Sequence, residues 1–108
     1  MAEAASDFTM TVSKEGNETV VTLSGDVDVY TSARLRERLL DLIHHARPRL
    51  VIDLANLDFV DSTGLGMLVA VAERVRRAGG EMALRSPTAS TRRVIEITGL
   101  GRVLPVRD

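Results

Sequence analysis

The sequence predicts an α/β fold: a mixed sheet that starts as an antiparallel hairpin and continues as alternating strands and helices. Three observations carry this. Phe8-Thr9-Met10-Thr11-Val12 alternates apolar and polar residues, and Thr19–Ser24 follows after the turn signal Glu15-Gly16-Asn17-Glu18. Leu50-Val51-Ile52-Asp53-Leu54 is a short continuous apolar run, the pattern of a strand covered on both faces. Between and after these lie segments with helical spacing, and strands separated by helices imply parallel pairing.

Taken in order, residues 1–7 are small and polar and read as a frayed end, with one domain over residues 8–108. Gly25–Tyr30 reads as a loop, and Thr31 or Ser32 is placed to cap a first helix. That helix has Leu35, Leu39, Leu42, Ile43 and Ala46 toward the core and Arg34, Arg38 and Asp41 outward; Pro48 ends it. The buried strand Leu50–Leu54 follows. Next comes a second helix with Leu65, Leu68, Val69, Ala72 and Val75 on one face, stopped by Gly79-Gly80. Glu81–Leu84 is a short strand. Ser86-Pro87 opens a third helical stretch to about Thr98, with Val94 and Ile97 inward, and Val103–Val106 is a last edge strand, where proline is tolerated.

Composition narrows the function classes. A chain of 108 residues holds one modest core. The 44% hydrophobic content fits a globular domain, and the net charge of −1 provides no broad basic field for nucleic acid or an anionic membrane. Without cysteine there is neither a disulfide nor thiolate chemistry. No apolar run approaches the roughly 20 residues of a membrane span, and no signal-peptide core is present, so a cytoplasmic protein is expected.

The candidate site is Asp61-Ser62-Thr63-Gly64-Leu65-Gly66, at the junction of the buried strand and the second helix. Asp61, Ser62 and Thr63 are all good N-cap types, and a helix start favours negative charge. Gly64 and Gly66 each cost a helix roughly 1 kcal/mol relative to alanine, so they answer either to tight packing on the sheet or to close approach from outside. Enzymatic readings fail on their missing partners. A nucleotide P-loop needs a lysine after its second glycine, and Lys14 is the only lysine. The Asp26-x-Asp28 spacing lacks the downstream lysine and the acidic pair that aspartate-nucleophile chemistry requires. His44 and His45 are adjacent near a helix end, where they complement the dipole better than they serve Ser62 as a base. The arginines at 74, 76 and 77, and at 92 and 93, read as solvated helix faces.

The hexapeptide, preceded by Leu57-Asp58-Phe59-Val60, resembles the signature of STAS domains, and most of all that of the anti-sigma factor antagonists of bacterial partner-switching systems. The other parts agree in order: Leu23-Ser24-Gly25-Asp26-Val27-Asp28, Gly79-Gly80, Ser86-Pro87 and Gly99-Leu100. The resemblance spans about residues 8–105. It implies a binding switch without cofactor of its own. Unphosphorylated, the protein would bind an anti-sigma factor and free the sigma factor. That anti-sigma factor is a serine kinase carrying ATP and magnesium. It would phosphorylate Ser62, with Thr63 as the second candidate, and a serine phosphatase would reset it. A phosphate of about −1.5 to −2 charges at a helix N-terminus need not unravel the fold, yet it opposes any partner packed there. STAS domains also serve as scaffold subunits of stress-sensing assemblies and as small-ligand modules, and both alternatives stand. The expected partner surface comprises Asp28, Val29, Tyr30, Asp61, Ser62, Thr63, Gly64, Leu65, Gly66, Met67 and Val71. Met67 and Val71 fall off the Leu65–Val75 stripe, which puts them either at the core margin or exposed beside the motif. Asp28 and Asp61 either cap loops or position the serine.

Overall fold

The computed structural model describes residues 7–43 and 49–108. The expected readings of residues 1–6, His44, His45, Ala46 and Pro48 lie outside them. Strand β1 (Phe8–Glu15) turns through Gly16-Asn17 into β2 (Glu18–Val27) as an antiparallel hairpin. Helix α1 (Ser32–Leu42) leads to β3 (Arg49–Val60), which lies parallel to β2. Helix α2 (Ser62–Arg77) leads to β4 (Glu81–Arg85), parallel to β3. Helix α3 (Ala89–Thr98) and a 3₁₀ turn (Leu100–Arg102) lead to β5 (Val106–Arg107), parallel to β4. The sheet order is β1-β2-β3-β4-β5. The mixed sheet with one antiparallel hairpin is the expected architecture.

One hydrophobic core joins the sheet to the helices. Val21, Leu23, Ile52, Leu54 and Leu84 from the sheet meet Leu35 and Leu39 of α1, Leu65, Leu68, Val71 and Val75 of α2, and Ile95 of α3. Strand alternation sends the neighbouring row, Val20–Val51–Ala83, to the other face. These residues are buried but stand outside that cluster. The side chains that alternation places on this second face are ion-paired: Arg85 with Asp53 at 2.8 Å and Glu15 at 3.1 Å, Arg107 with Glu18 at 2.9 Å, and Arg49 with Glu81 at 3.5 Å. Long arginine stems cover apolar surface while their heads stay wet. So β3 is buried on both faces as expected, but helices supply only one cover. Burial pushes the Asp53 carboxyl up; the Ala55 N–H and the Arg85 guanidinium outweigh it and hold it below the ordinary carboxylate range.

Four expectations are corrected. The strands are longer than the apolar runs: β2 continues through Gly25–Val27, expected as loop, and β3 runs on to Val60. Their pairing holds because register shifts between Thr22 and Ser24, and between Gly25 and Asp26, absorb the mismatch. Thr31 stands at the start of α1 but does not cap it; its hydroxyl accepts from the Asp28 N–H at 3.0 Å instead. α3 begins after Thr88, whose hydroxyl accepts from the Thr91 N–H at 3.2 Å. That start puts Ile95 in the core and turns Ile97 outward, 78% exposed, because two residues advance a helix by more than half a turn. Finally, Val103 is exposed and the last strand holds only Val106 and Arg107, since the chain first curls into the 3₁₀ turn.

Candidate functional site

The strand corrections decide where the signature sits. Because β2 and β3 both extend, Val60 lies beside Val27 and the chain leaves β3 next to the loop at 28–30. The Asp61 N–H donates to the Val27 carbonyl at 3.2 Å. Asp61 is extended and is the N-cap of α2; its Oδ1 accepts from the Gly64 N–H at 2.8 Å. Its Oδ2 accepts from the Val29 N–H at 3.1 Å. One carboxylate therefore holds both the helix start and the loop.

Ser62 is the first residue of α2, and both it and Thr63 are exposed. Capping falls to Asp61, so the Ser62 hydroxyl is not spent on the helix. Ser62 stands at the positive end of a 16-residue helix whose other end carries Arg74, Arg76 and Arg77.

The two glycines divide between the two explanations. A Cβ on Gly64 would stand 2.8 Å from the Val27 carbonyl oxygen and 2.9 Å from Val27 Cγ1 and Val60 Cγ2. Gly64 is thus required by packing against the sheet. A Cβ on Gly66 would meet nothing within 4 Å. No internal contact accounts for Gly66, which faces solvent on the same side of the helix as Ser62 and Thr63.

The loop before α1 is tightly built. Asp28 is only 7% exposed; its carboxylate accepts from the backbone N–H groups of Tyr30 at 2.9 Å and Thr31 at 3.1 Å. This is the loop-shaping role, and it turns Asp28 inward. The same loop pushes Val29 and Tyr30 outward, Tyr30 being 85% exposed. Phe59 joins them on the surface, beside Asp26 in the β2–β3 register. Nothing in the local pattern marks Phe59 as facing out: plain alternation from the buried Leu57 would send it in, and the register shift at Gly25/Asp26 reverses that.

Of the two positions left open for Met67 and Val71, the structure takes the core, and their place on the expected partner surface is corrected. They are 7% and 0% exposed and belong to the core. α2 packs on both the sheet and α1, so its buried stripe is wider than one sheet-facing row. Leu65 and Gly64 are buried as well. The structure brings Val29, Tyr30, Phe59, Asp61, Ser62, Thr63 and Gly66 to the surface around the start of α2, and puts Asp28, Gly64, Leu65, Met67 and Val71 beneath it.

Chemically, the site presents an exposed serine hydroxyl at the positive end of a helix. Asp61 and Asp28 are engaged by backbone N–H groups. Among the described residues, no group of three or more ligating side chains could hold a metal. A cavity of about 460 Å³ opens near the far end of α2, lined by Leu50, Met82, Ala83 and the ion-paired Arg49, Arg76 and Arg107. Arg76 lies 14 residues from Ser62, roughly 20 Å along the helix, so the cavity is separate from the signature. No described helix is long and apolar enough to cross a membrane.

Comparisons with known proteins converge. The family model described as Mlab, STAS domain matches residues 10–105. The anti-sigma F factor antagonist of Paenibacillus polymyxa is 32% identical over 82% of this chain and 77% of its own length. The anti-sigma-B factor antagonist of Bacillus subtilis is 33% identical over 88% of this chain and 86% of its own. The crystal structure of an anti-sigma factor antagonist from Mycobacterium paratuberculosis superposes with a TM-score of 0.83 at 31% identity, covering 94% of this chain and 86% of that one.

Proposed function

This chain belongs to the STAS domain family, and from that membership we propose that it is an anti-sigma factor antagonist whose partner binding is switched off by phosphorylation of Ser62. The observation that carries the reading is the exposed hydroxyl on the first residue of α2, with Val29, Tyr30 and Phe59 exposed around the same end of the molecule. Exposed apolar and aromatic side chains beside a polar centre are what a protein partner uses for anchoring. The partner is an anti-sigma factor that is itself a serine kinase, with ATP and magnesium on the kinase. A serine phosphatase restores the hydroxyl. The protein works in the cytoplasm as a binding switch, without catalysis, nucleic-acid contact or membrane contact of its own.

The switch follows from charge. A phosphate on Ser62 brings three acceptor oxygens and about two negative charges to a surface that already holds Asp58 and Asp61. A docked partner would bury that dianion. A penalty of about 3 kcal/mol lowers affinity more than a hundredfold. The scaffold tolerates the modification because the cap is Asp61 and a helix N-terminus favours the added charge.

The test incubates the protein with the anti-sigma kinases of its organism and ATP, maps the modified residue, and measures binding before and after. Ser62 takes the phosphate, Ser62→Ala is unlabelled and binds, and Ser62→Asp loses at least tenfold in affinity. Labelling that persists in Ser62→Ala and maps to Thr63 moves the site; an Ser62→Asp variant that binds like the parent removes the charge mechanism.

A further inference from the structure

The two oxygens of Asp61 serve segments that are far apart in sequence. Oδ1 takes the Gly64 N–H inside α2, and Oδ2 takes the Val29 N–H across 32 residues. Among the described residues, the turn at 28–31 is braced by short-range side-chain hydrogen bonds: Tyr30 and Thr31 to Asp28, Asp28 to Thr31, and Thr31 to the Asp26 carbonyl. Those bonds fix the shape of the turn, but not its position relative to Ser62. Alongside the β2–β3 ladder and the Asp61-to-Val27 backbone bond, the Asp61 carboxylate ties the exposed tip at Val29 directly to the start of α2.

We infer that Asp61 is a positioning residue: its second oxygen holds Val29 and Tyr30 in register with Ser62, so that a partner meets the loop and the helix start as one rigid surface. An exposed loop tip is normally among the more mobile parts of a chain, and ordering it during docking costs affinity. Pre-ordering by Asp61 removes that cost. The effect on binding rests on the reading of Ser62 as the docking centre; the effect on the loop does not.

The chain supplies its own probe. Tyr30 is the only tyrosine and there is no tryptophan, so intrinsic fluorescence anisotropy reports on this loop alone. Asp61→Asn offers one acceptor oxygen in place of two, and asparagine caps helices as well as aspartate does. Asp61→Ser caps too, but its shorter side chain does not span to Val29. In both variants Tyr30 anisotropy falls and the Val29 amide exchanges with solvent roughly five- to tenfold faster, the worth of one ordinary hydrogen bond. Thr88→Ala removes the cap of α3 by the same chemistry and leaves both readouts unchanged, which separates the clasp from general loosening. Affinity for the kinase that modifies the parent falls about tenfold in the two Asp61 variants.

Unchanged Val29 exchange in both Asp61 variants overturns the clasp. A loosened loop with undiminished affinity overturns its role in recognition while leaving the Ser62 switch intact. A parent protein that no kinase binds sinks the docking reading instead, and Val29 exchange still decides whether Asp61 holds the loop.

Discussion

Gly66→Ala is expected to separate folding from recognition. The new methyl group enters open space: among the described residues, nothing beyond its chain neighbours and the helix's own backbone lies within 4 Å of its position. Gly66 has helical backbone in the fifth residue of α2, so alanine needs no change of conformation. Replacing glycine by alanine in a helix contributes about 0.5–1 kcal/mol, largely by restricting the unfolded chain. For a domain of this size, that raises the melting temperature by about 2–6 °C. The same methyl projects from the face that carries Ser62 and Thr63, where a docked partner would approach the bare backbone. Binding to the anti-sigma kinase is therefore expected to weaken at least tenfold while stability rises. Gly64→Ala is the contrasting control. Its methyl would meet the Val27 carbonyl oxygen at 2.8 Å, so the helix or the strand end must shift, at about 1–3 kcal/mol. Thermal melts and titration calorimetry on the two variants decide the matter. A Gly66→Ala protein that is less stable than the parent refutes the packing argument; one that is more stable and binds equally well refutes close approach.

Three further outcomes are expected. Phe59→Ala and Tyr30→Ala each lower kinase affinity by about 1–2 kcal/mol in calorimetry and move the melting temperature little, because both rings are exposed in the unbound protein; a loss of stability without a loss of affinity would assign the rings to the fold. On α3, Ile95→Ala costs about 2–4 kcal/mol in urea unfolding and Ile97→Gln changes stability by under about 0.5 kcal/mol, in line with their opposite exposure. On the open face of the sheet, the native carboxyls of Asp53 and Glu18 are held below their ordinary values, Glu18 mainly by its hydrogen bond from Arg107. Their contribution is complete at neutral pH and is lost as the pH falls below about 4 and through the native values. Asp53→Asn is thus less stable at pH 7 and declines more shallowly toward pH 3 in thermal melts; parallel pH profiles would refute the assignment.

The order of strands and helices was legible because each element's burial pattern is local. Leu35–Leu39 at helical spacing and Leu50–Leu54 as an apolar run state their own environment. The start of α2 was legible for the same reason, as a run of cap types at Asp61, Ser62 and Thr63; which of the three caps the helix was not. What local pattern did not show was anything set by two segments together. The outward turn of Phe59 depends on a register shift against β2, and the burial of Met67 and Val71 depends on α1 packing beside α2. The role of Thr31 was hidden likewise, since a cap residue by type serves the preceding loop once Asp28 and Asp26 offer nearer partners. The arginine-roofed second face escaped because each charge reads as ordinary surface until β1, β3 and β4 bring Glu15, Asp53 and Arg85 together.

The division of labour between Asp61 and Ser62 bears on how such a switch keeps its scaffold. Had the modifiable hydroxyl been the N-cap acceptor, a phosphate would have replaced a helix bond worth about 1 kcal/mol and reshaped the first turn. Here the cap and the proposed acceptor are adjacent but distinct: Asp61 binds the Gly64 N–H, and Ser62 is the next residue. The proposed phosphorylation would then alter charge at the surface and leave the first turn its bond. Serine at the cap itself would make modification and folding compete, so Ser62→Asp in an Asp61→Ala background should unfold at lower temperature than Ser62→Asp alone by about the cap's worth, roughly 3–6 °C. Equal melting temperatures for the two would mean that the charge at residue 62 replaces the cap, and that the two functions are not separate after all.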